Sequence, residues 1–262
     1  MIYLSFDIEE FDMPKEYGYE IDFDRQISTS RKGLIAILDL LQKHKAKATF
    51  FSTVVFAQNC PDLINRLLAE GHELASHTYY HTDFEIPHLE LSKKTLEQDF
   101  HTPILGLRMP RMRDIPAEEV KKAGYFYNSS VNPTILPGRY NKSHIPKRFY
   151  KEKDLWQIPT AVSLLRFPLF WLSFHNFPLI IYNILLSQCI KSTGYATLYF
   201  HPWEFTNLHH KEFNFPHYVK RNTGDKMIAK FEKLLIHINK KGWKTALYRD
   251  LIKNESSKHN IH

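Results

Sequence analysis

Runs with strand character and runs with helix character alternate along the whole of this chain, and that order leaves few folds open. Residues 2–7, largely apolar and ending on Asp7, suit a strand. Residues 31–43 follow with Leu34, Ile37, Leu38 and Leu41 at helical spacing, after candidate caps at 28–30. A second strand at 48–53 precedes a helix at 61–69 that opens on Pro61 and is stopped by Gly71. Residues 73–77 make a third strand. Beyond them, strands at 104–109, 125–130, 155–159, 197–201 and 244–248 are interleaved with helices at 91–100, 116–123 and 223–241, with Ser92 a candidate cap. Such alternation calls for a parallel sheet with crossover helices. The turn-rich stretch 131–154 reads as an extended loop over a site.

The residues able to do chemistry fall where those strands end. Asp7, His77, Arg108 and His201 each close a strand, so a barrel with its site on the C-terminal face is the economical solution. Side chains alternate along a strand, which points Asp7 and Glu9 the same way. One carboxylate can then ligate a metal while the other takes a proton from water, although acidic residues after strands are also common in ordinary loops. His77 and His81 are four apart and converge on one ion if the chain turns helical after the strand. Arg108 has the forked donors to hold a carboxylate. His201, restrained by Pro202 and followed by Trp203 and Glu204, suits proton donation to a leaving group.

Composition narrows the classes. At 262 residues, 43% of them hydrophobic, the chain can bury a sizeable core, and with no linker-like tract residues 1–262 read as one domain. A balance of 35 Lys and Arg against 28 Asp and Glu gives +7, which favours anionic partners. No nucleic acid is expected, because no zinc-finger, RNA-recognition or helix-turn-helix signature accompanies the charge. Cys60 and Cys189 form neither a CxxC nor a disulfide pattern. The N-terminus runs directly into a strand without a secretory signal, so cytoplasmic residence is expected. Residues 167–190 lack Asp, Glu, Lys and Arg and have the length of a bilayer span. Pro168, Pro178, His175 and Asn176 interrupt that stretch, and flanking strands argue against spanning. It is expected to cap the core, or to touch the inner face of a membrane through Trp171, Phe174 and Phe177.

Taken in order, these pieces resemble the polysaccharide deacetylase family, carbohydrate esterase family four. Ser5-Phe6-Asp7-Ile8-Glu9 resembles the family's first strand, with its Asp-Asp or Asp-x-Asp ending, and 48–51 its second. Ser76-His77-Thr78-Tyr79-Tyr80-His81 is similar to its metal-binding histidine motif, Leu107-Arg108-Met109-Pro110 to its arginine motif, and 198–202 to its final histidine motif. Residues 125–130 resemble its Gly-Tyr/Phe-x-Tyr-Asp-Ser strand. The resemblance implies an α/β fold, a distorted (β/α)7 barrel, with one divalent metal ion, usually zinc. It implies removal of N-acetyl groups from an amino-sugar polysaccharide, oligosaccharide or lipid-linked glycan. The alternatives are a catalytically impaired carbohydrate binder on the same fold, or a hydrolase of another linear or cyclic amide. Carried over, Asp7 is the base, His77, His81 and Glu9 the metal ligands, Arg108 the group that orients Asp7, and His201 the acid. Glu9 replaces the usual aspartate, which leaves Glu10 or Asp12 as alternative ligands. The aspartate that usually buttresses the acid has only Glu204 as a candidate counterpart. Tyr127 and Trp203, with Tyr125 and Tyr140, are candidate surfaces for stacking on sugar rings.

Overall fold

A computed structural model describes residues 1–136, 138 and 140–252. Strands β1 (Ile2–Ile8), β2 (Ala48–Ser52), β3 (Glu73–Ser76), β4 (Gly106–Leu107), β5 (Tyr127–Asn128), β9 (Leu155–Gln157) and β10 (Ala196–Phe200) run parallel, in the order β10-β1-β2-β3-β4-β5-β9. The curled sheet is drawn round on itself: past β9, Ala161 N–H donates to the Thr197 carbonyl of β10 at 3.0 Å, and the Thr197 hydroxyl donates to the Pro159 carbonyl at 2.7 Å. Seven parallel strands thus curve towards closure among the described residues, with β8 (Tyr150–Glu152) antiparallel to β9 on the edge.

Helices cover the outside. Helix α1 (Phe23–Lys43) turns Leu34, Ile37, Leu38 and Leu41 into the core, each contributing about 1.5–3 kcal/mol by leaving water. It begins a full eight residues before the expected start, because the Asp22 carboxylate accepts the Arg25 N–H at 2.8 Å and caps it; residues 28–30 lie inside the helix. Between strands and helices Phe6, Phe50, Phe200 and Phe231 pack ring against ring, Phe6 and Phe50 with centroids 5.2 Å apart. Gly33 allows α1 to press on the start of the 202–205 turn: a Cβ there would lie 1.8 Å from the Pro202 carbonyl oxygen.

Other expectations need correction. A short helix, α2 (Val54–Asn59), follows β2 directly, capped by the Thr53 hydroxyl, ahead of α3 (Pro61–Ala69). Helix α4 (Pro87–Phe100) starts four residues early, and Ser92 lies buried inside it, bonded to the Leu89 carbonyl. Helix α5 (Ala117–Lys122) is as expected within a residue. The expected loop at 131–154 contains a hairpin, β6 (Ile135–Leu136) with β7 (Tyr140–Asn141), besides β8. The stretch 244–248 adds only a single bridge, Thr245 to Ile2, in place of a strand. Residues 167–190 fold as α6 (Trp171–Asn176) and α7 (Leu179–Thr193), broken at Pro178. Among the described residues no helix is long and apolar enough to cross a membrane. Helix α8 (His217–Lys220) and α9 (Asp225–Lys240) complete the described elements.

Candidate active site

The strand ends meet at one cavity of about 480 Å³, into which Asp7, Glu9, His77, His81, His201 and Trp203 project. Glu9 follows β1 and reaches across to the two histidines, with its Oε2 3.0 Å from His77 Nε2 and 3.1 Å from His81 Nε2. The three donor atoms lie within 4.8 Å of one another, and all three residues are buried. Glu10 turns instead to the Thr53 hydroxyl, which donates to its Oε2 at 2.5 Å. Asp12 stands behind His81, its Oδ1 2.7 Å from Nδ1, and is gripped from the other side by Arg111 and Thr82. Of the three carboxylates, Glu9 is the one that meets both histidines.

Proton bookkeeping at this cluster is informative. His77 Nδ1 lies 2.8 Å from the Arg108 carbonyl, which can only accept, so Nδ1 carries the hydrogen. His81 Nδ1 faces the Asp12 carboxylate and donates likewise. In the neutral rings both Nε2 atoms are therefore lone pairs aimed at a carboxylate oxygen, and Glu9 Oε2 is buried without a hydrogen-bond partner. Acceptors face acceptors. Only extra protons or a cation reconcile them, and two imidazoles plus a carboxylate, each fixed by a partner behind it, suit a divalent metal. Without one, positive charge is drawn in as protons: burial works to lower the His81 pKa, but Glu9 and Asp12 raise it to about 9. Burial raises Glu9, and its histidine neighbours outweigh that and hold it well below the usual carboxylate range.

The histidines do not converge through a helix. Thr78 adopts a left-handed backbone (φ 68°), strained for a β-branched side chain by about 1–3 kcal/mol, and the turn is held by Thr78 Oγ1 donating to the Tyr80 carbonyl. Its carbonyl and that of Tyr79 accept N–H groups from the first turn of α2. The rings end 5.9 Å apart, nearly parallel.

Beside this cluster Asp7 is paired with Arg108, which is wholly buried and follows β4. Its Nη1 donates to Asp7 Oδ1 at 2.6 Å and to Ser5 Oγ at 3.0 Å; Nη2 donates to Ser129 Oγ and the Tyr248 hydroxyl; Nε donates to the Ser129 carbonyl. The guanidinium also lies over the Phe51 ring, 4.1 Å from its centroid. Asp7 Oδ2 is left towards His201, 3.8 Å from Nε2.

His201 follows β10 and is braced from behind. Its Nδ1 lies 2.9 Å from Glu204 Oε1, which also accepts the His201 N–H, while Glu204 Oε2 lies 2.8 Å from His175 Nε2. His175 Nδ1 faces the Val219 carbonyl at 3.2 Å, an arrangement fully satisfied only when that ring carries both hydrogens. Burial raises the Glu204 pKa, and the hydrogen bonds with His175 and His201 overcome it and hold the carboxylate low. Burial lowers His201, and Glu204, with Glu9 and Asp7, more than compensates, so its pKa is raised.

Trp203 stacks on His201 with centroids 4.7 Å apart, and its indole N–H reaches Glu9 Oε1 at 3.3 Å, joining the His201 side of the cavity to the side of the Glu9, His77 and His81 cluster. Tyr140 also lines the cavity. Tyr127 does not: it is wholly buried, its hydroxyl donates to Glu73 Oε1 at 3.0 Å, and its ring fills the space above Gly106. It is a core residue inside the barrel. Tyr125, likewise buried, donates to the Leu89 carbonyl. The sequence did not single out His175, hidden in an apolar stretch, nor Asp12 as a partner of His81; its one available signal was a histidine costly to bury amid hydrophobic neighbours.

Residues 1–105 match the Polysaccharide deacetylase family model. The chain is 49% identical over 47 residues to a chitooligosaccharide deacetylase of Bradyrhizobium sp. (strain ANU 289), covering 18% of this chain and 22% of that protein. It is 33% identical over 103 residues to a peptidoglycan-N-acetylmuramic acid deacetylase of Bacillus subtilis (strain 168), covering 34% and 38%. The matched stretch thus spans about a quarter of the length of the first curated relatives. Its fold is similar to the crystal structure of a probable polysaccharide deacetylase from Pseudomonas aeruginosa PAO1, with a TM-score of 0.67 at 15% identity over 98% of this chain and 91% of that one. An allantoinase structure shares the fold at a TM-score of 0.66 and 16% identity, over 98% and 90%. The family model thus matches the chain from its first residue through the histidine motif, and the fold of the whole chain is that of the solved probable polysaccharide deacetylase.

Proposed function

We propose that this protein is a metal-dependent hydrolase that removes N-acetyl groups from an amino-sugar glycan. The observation that carries the reading is the pair of buried Nε2 lone pairs turned on Glu9 Oε2, a cation site in all but the cation, within one cavity with Asp7 and His201. Glu9, His77 and His81 would hold the metal. The nitrogen-rich donor set suits zinc, which when bound supplies Lewis acidity to an acetamide carbonyl and acidifies water.

The chain's own groups do the proton work. Asp7, fixed in direction by Arg108 through Oδ1, uses Oδ2 to take a proton from the water that attacks the acetamide carbon. His201, kept protonated beyond the usual pH by Glu204, gives a proton to the nitrogen as the carbon–nitrogen bond breaks. One carbon–oxygen bond forms and one carbon–nitrogen bond is lost, leaving acetate and a free amino sugar. Trp203 and Tyr140 offer aromatic surface at the cavity wall for the sugar ring.

The test is acetate release from N-acetylated chito-oligosaccharides by the zinc-loaded protein, with Asp7→Asn as control and allantoin as a rival amide. Turnover that stops with a chelator and in the variant supports the reading. Zinc-loaded protein that binds the oligosaccharides without releasing acetate, or that opens allantoin instead, overturns it.

A further inference from the structure

We infer that the amino sugar this site accepts is carried on an apolar chain, and that a groove beside the catalytic cavity receives the first part of that chain. The inference rests on the deacetylase reading and names its substrate class. The groove, about 700 Å³, adjoins the catalytic cavity: Leu136, Phe170, Leu172 and Tyr218 line both. A substrate seated at Asp7 and His201 therefore has this groove as its apolar neighbour. Ile135, Leu165, Phe167 and Pro168 form its outer part, with Leu165 90% exposed and Ile135 53% exposed.

Four of its polar lining residues already donate to backbone carbonyls. Thr134 donates to the Arg166 carbonyl, Ser173 to that of Phe170, and Asn176 to those of Leu172 and Tyr218. Arg166 Nη1 donates to the carbonyls of Pro133 and Ile145. A further sugar unit placed here would strip its hydroxyls of water for few partners, which is costly; methylenes lose nothing and gain by burial. At the far end Asn176 and Phe177 lead into a depression bordered by Arg221, Lys226 and Lys233, and Ile180 and Ile184 stand exposed on α7. A chain too long for the groove would leave it over a basic, apolar surface that suits an anionic bilayer.

The test compares methyl and octyl glycosides of glucosamine, the products of deacetylation, whose binding needs no turnover. Tryptophan fluorescence titrations, kept below the octyl glycoside's micellar concentration, are run on the wild type and on Leu165→Asp and Ile135→Asp. The octyl glycoside should bind at least tenfold more tightly than the methyl one, and the variants should remove that preference while leaving methyl glycoside binding unchanged. Equal affinity for the two glycosides overturns the inference. So does an octyl preference that persists in both variants, or anionic vesicles that capture the protein through Leu165 while the glycosides bind alike. Acetate release from the N-acetyl glycosides, measured alongside, reports on the deacetylase reading separately: an octyl preference without acetate release upholds the groove and refutes the reaction.

Discussion

Arg108→Met should expose how the Asp7 carboxylate is held in the barrel. The substitution keeps much of the side-chain volume but removes the ion pair at 2.6 Å and the donors to Ser5, Ser129 and Tyr248. Asp7, 3% exposed, is left as a buried carboxylate without its hydrogen-bonded cation, with only His201 Nε2, 3.8 Å away, to offset its charge. Breaking a buried pair from one side costs about 3–5 kcal/mol, most of it the penalty on the charge left behind. For a chain of this size that is a fall in Tm of roughly 6–20 °C. Asp7→Asn, by contrast, leaves an amide that Arg108 can still reach. The double variant Asp7→Asn/Arg108→Met removes both charges, so it should be more stable than Arg108→Met alone by at least 1 kcal/mol. Urea unfolding followed by tryptophan fluorescence on the four proteins yields the coupling. Costs that add to within about 0.5 kcal/mol would show that the two side chains do not depend on each other, and Asp7 would need another explanation for its position.

Asp12→Ala removes the carboxylate behind His81 Nδ1, and zinc affinity measured by competitive chelation should fall about 10- to 100-fold with the fold intact. Glu9→Asp withdraws the carboxylate by about one carbon–carbon bond, ~1.5 Å, from both histidines and from the Trp203 indole. Metal content after dialysis should drop, despite the restored aspartate of the family motif. Glu204→Gln takes away the main group raising the His201 pKa, so the alkaline limb of the pH–rate profile should move to lower pH; an unmoved limb argues against His201 as the acid. The stabilising effect of the same contact has a window. His201, raised, contributes fully below its unfolded value near 6.5 and loses that contribution as pH rises through the folded value. Glu204, lowered, contributes above about 4.5 and loses it as pH falls. The stability difference between wild type and Glu204→Gln, from urea unfolding, should therefore be largest between those limits.

Much of this architecture was legible because strand ends carry both the sheet pattern and the chemistry. Ile2–Ile8 is apolar until it reaches Asp7, and the same switch from greasy to reactive marks His77, Arg108 and His201. What escaped notice depends on contacts distant in sequence. His175 looks like an interruption of an apolar run until Glu204, 29 residues on, is seen against it. Trp171 and Phe174, expected to cap the core or to touch a membrane, pack against His201 and Phe200, while Leu165 and Ile180 face outward. Tyr127 reads as a sugar platform in a motif; only the absence of a side chain at Gly106 shows that its ring is swallowed by the barrel. The start of α1 was missed because Asp22 caps from a loop that has no periodicity of its own.

The close approach at Gly33 bears on how this sequence can vary. Ten residues into a 21-residue helix, with α-helical backbone, the position has no conformational need for glycine, and alanine would ordinarily be preferred there by about 1 kcal/mol. Yet even one methyl group would meet the Pro202 carbonyl, one residue beyond His201. A library randomised at this codon and selected for folded protein should return glycine almost exclusively, at a site that makes no contact with any reacting group. The height of His201 above the sheet is therefore recorded in a missing methyl group on a helix that covers the sheet.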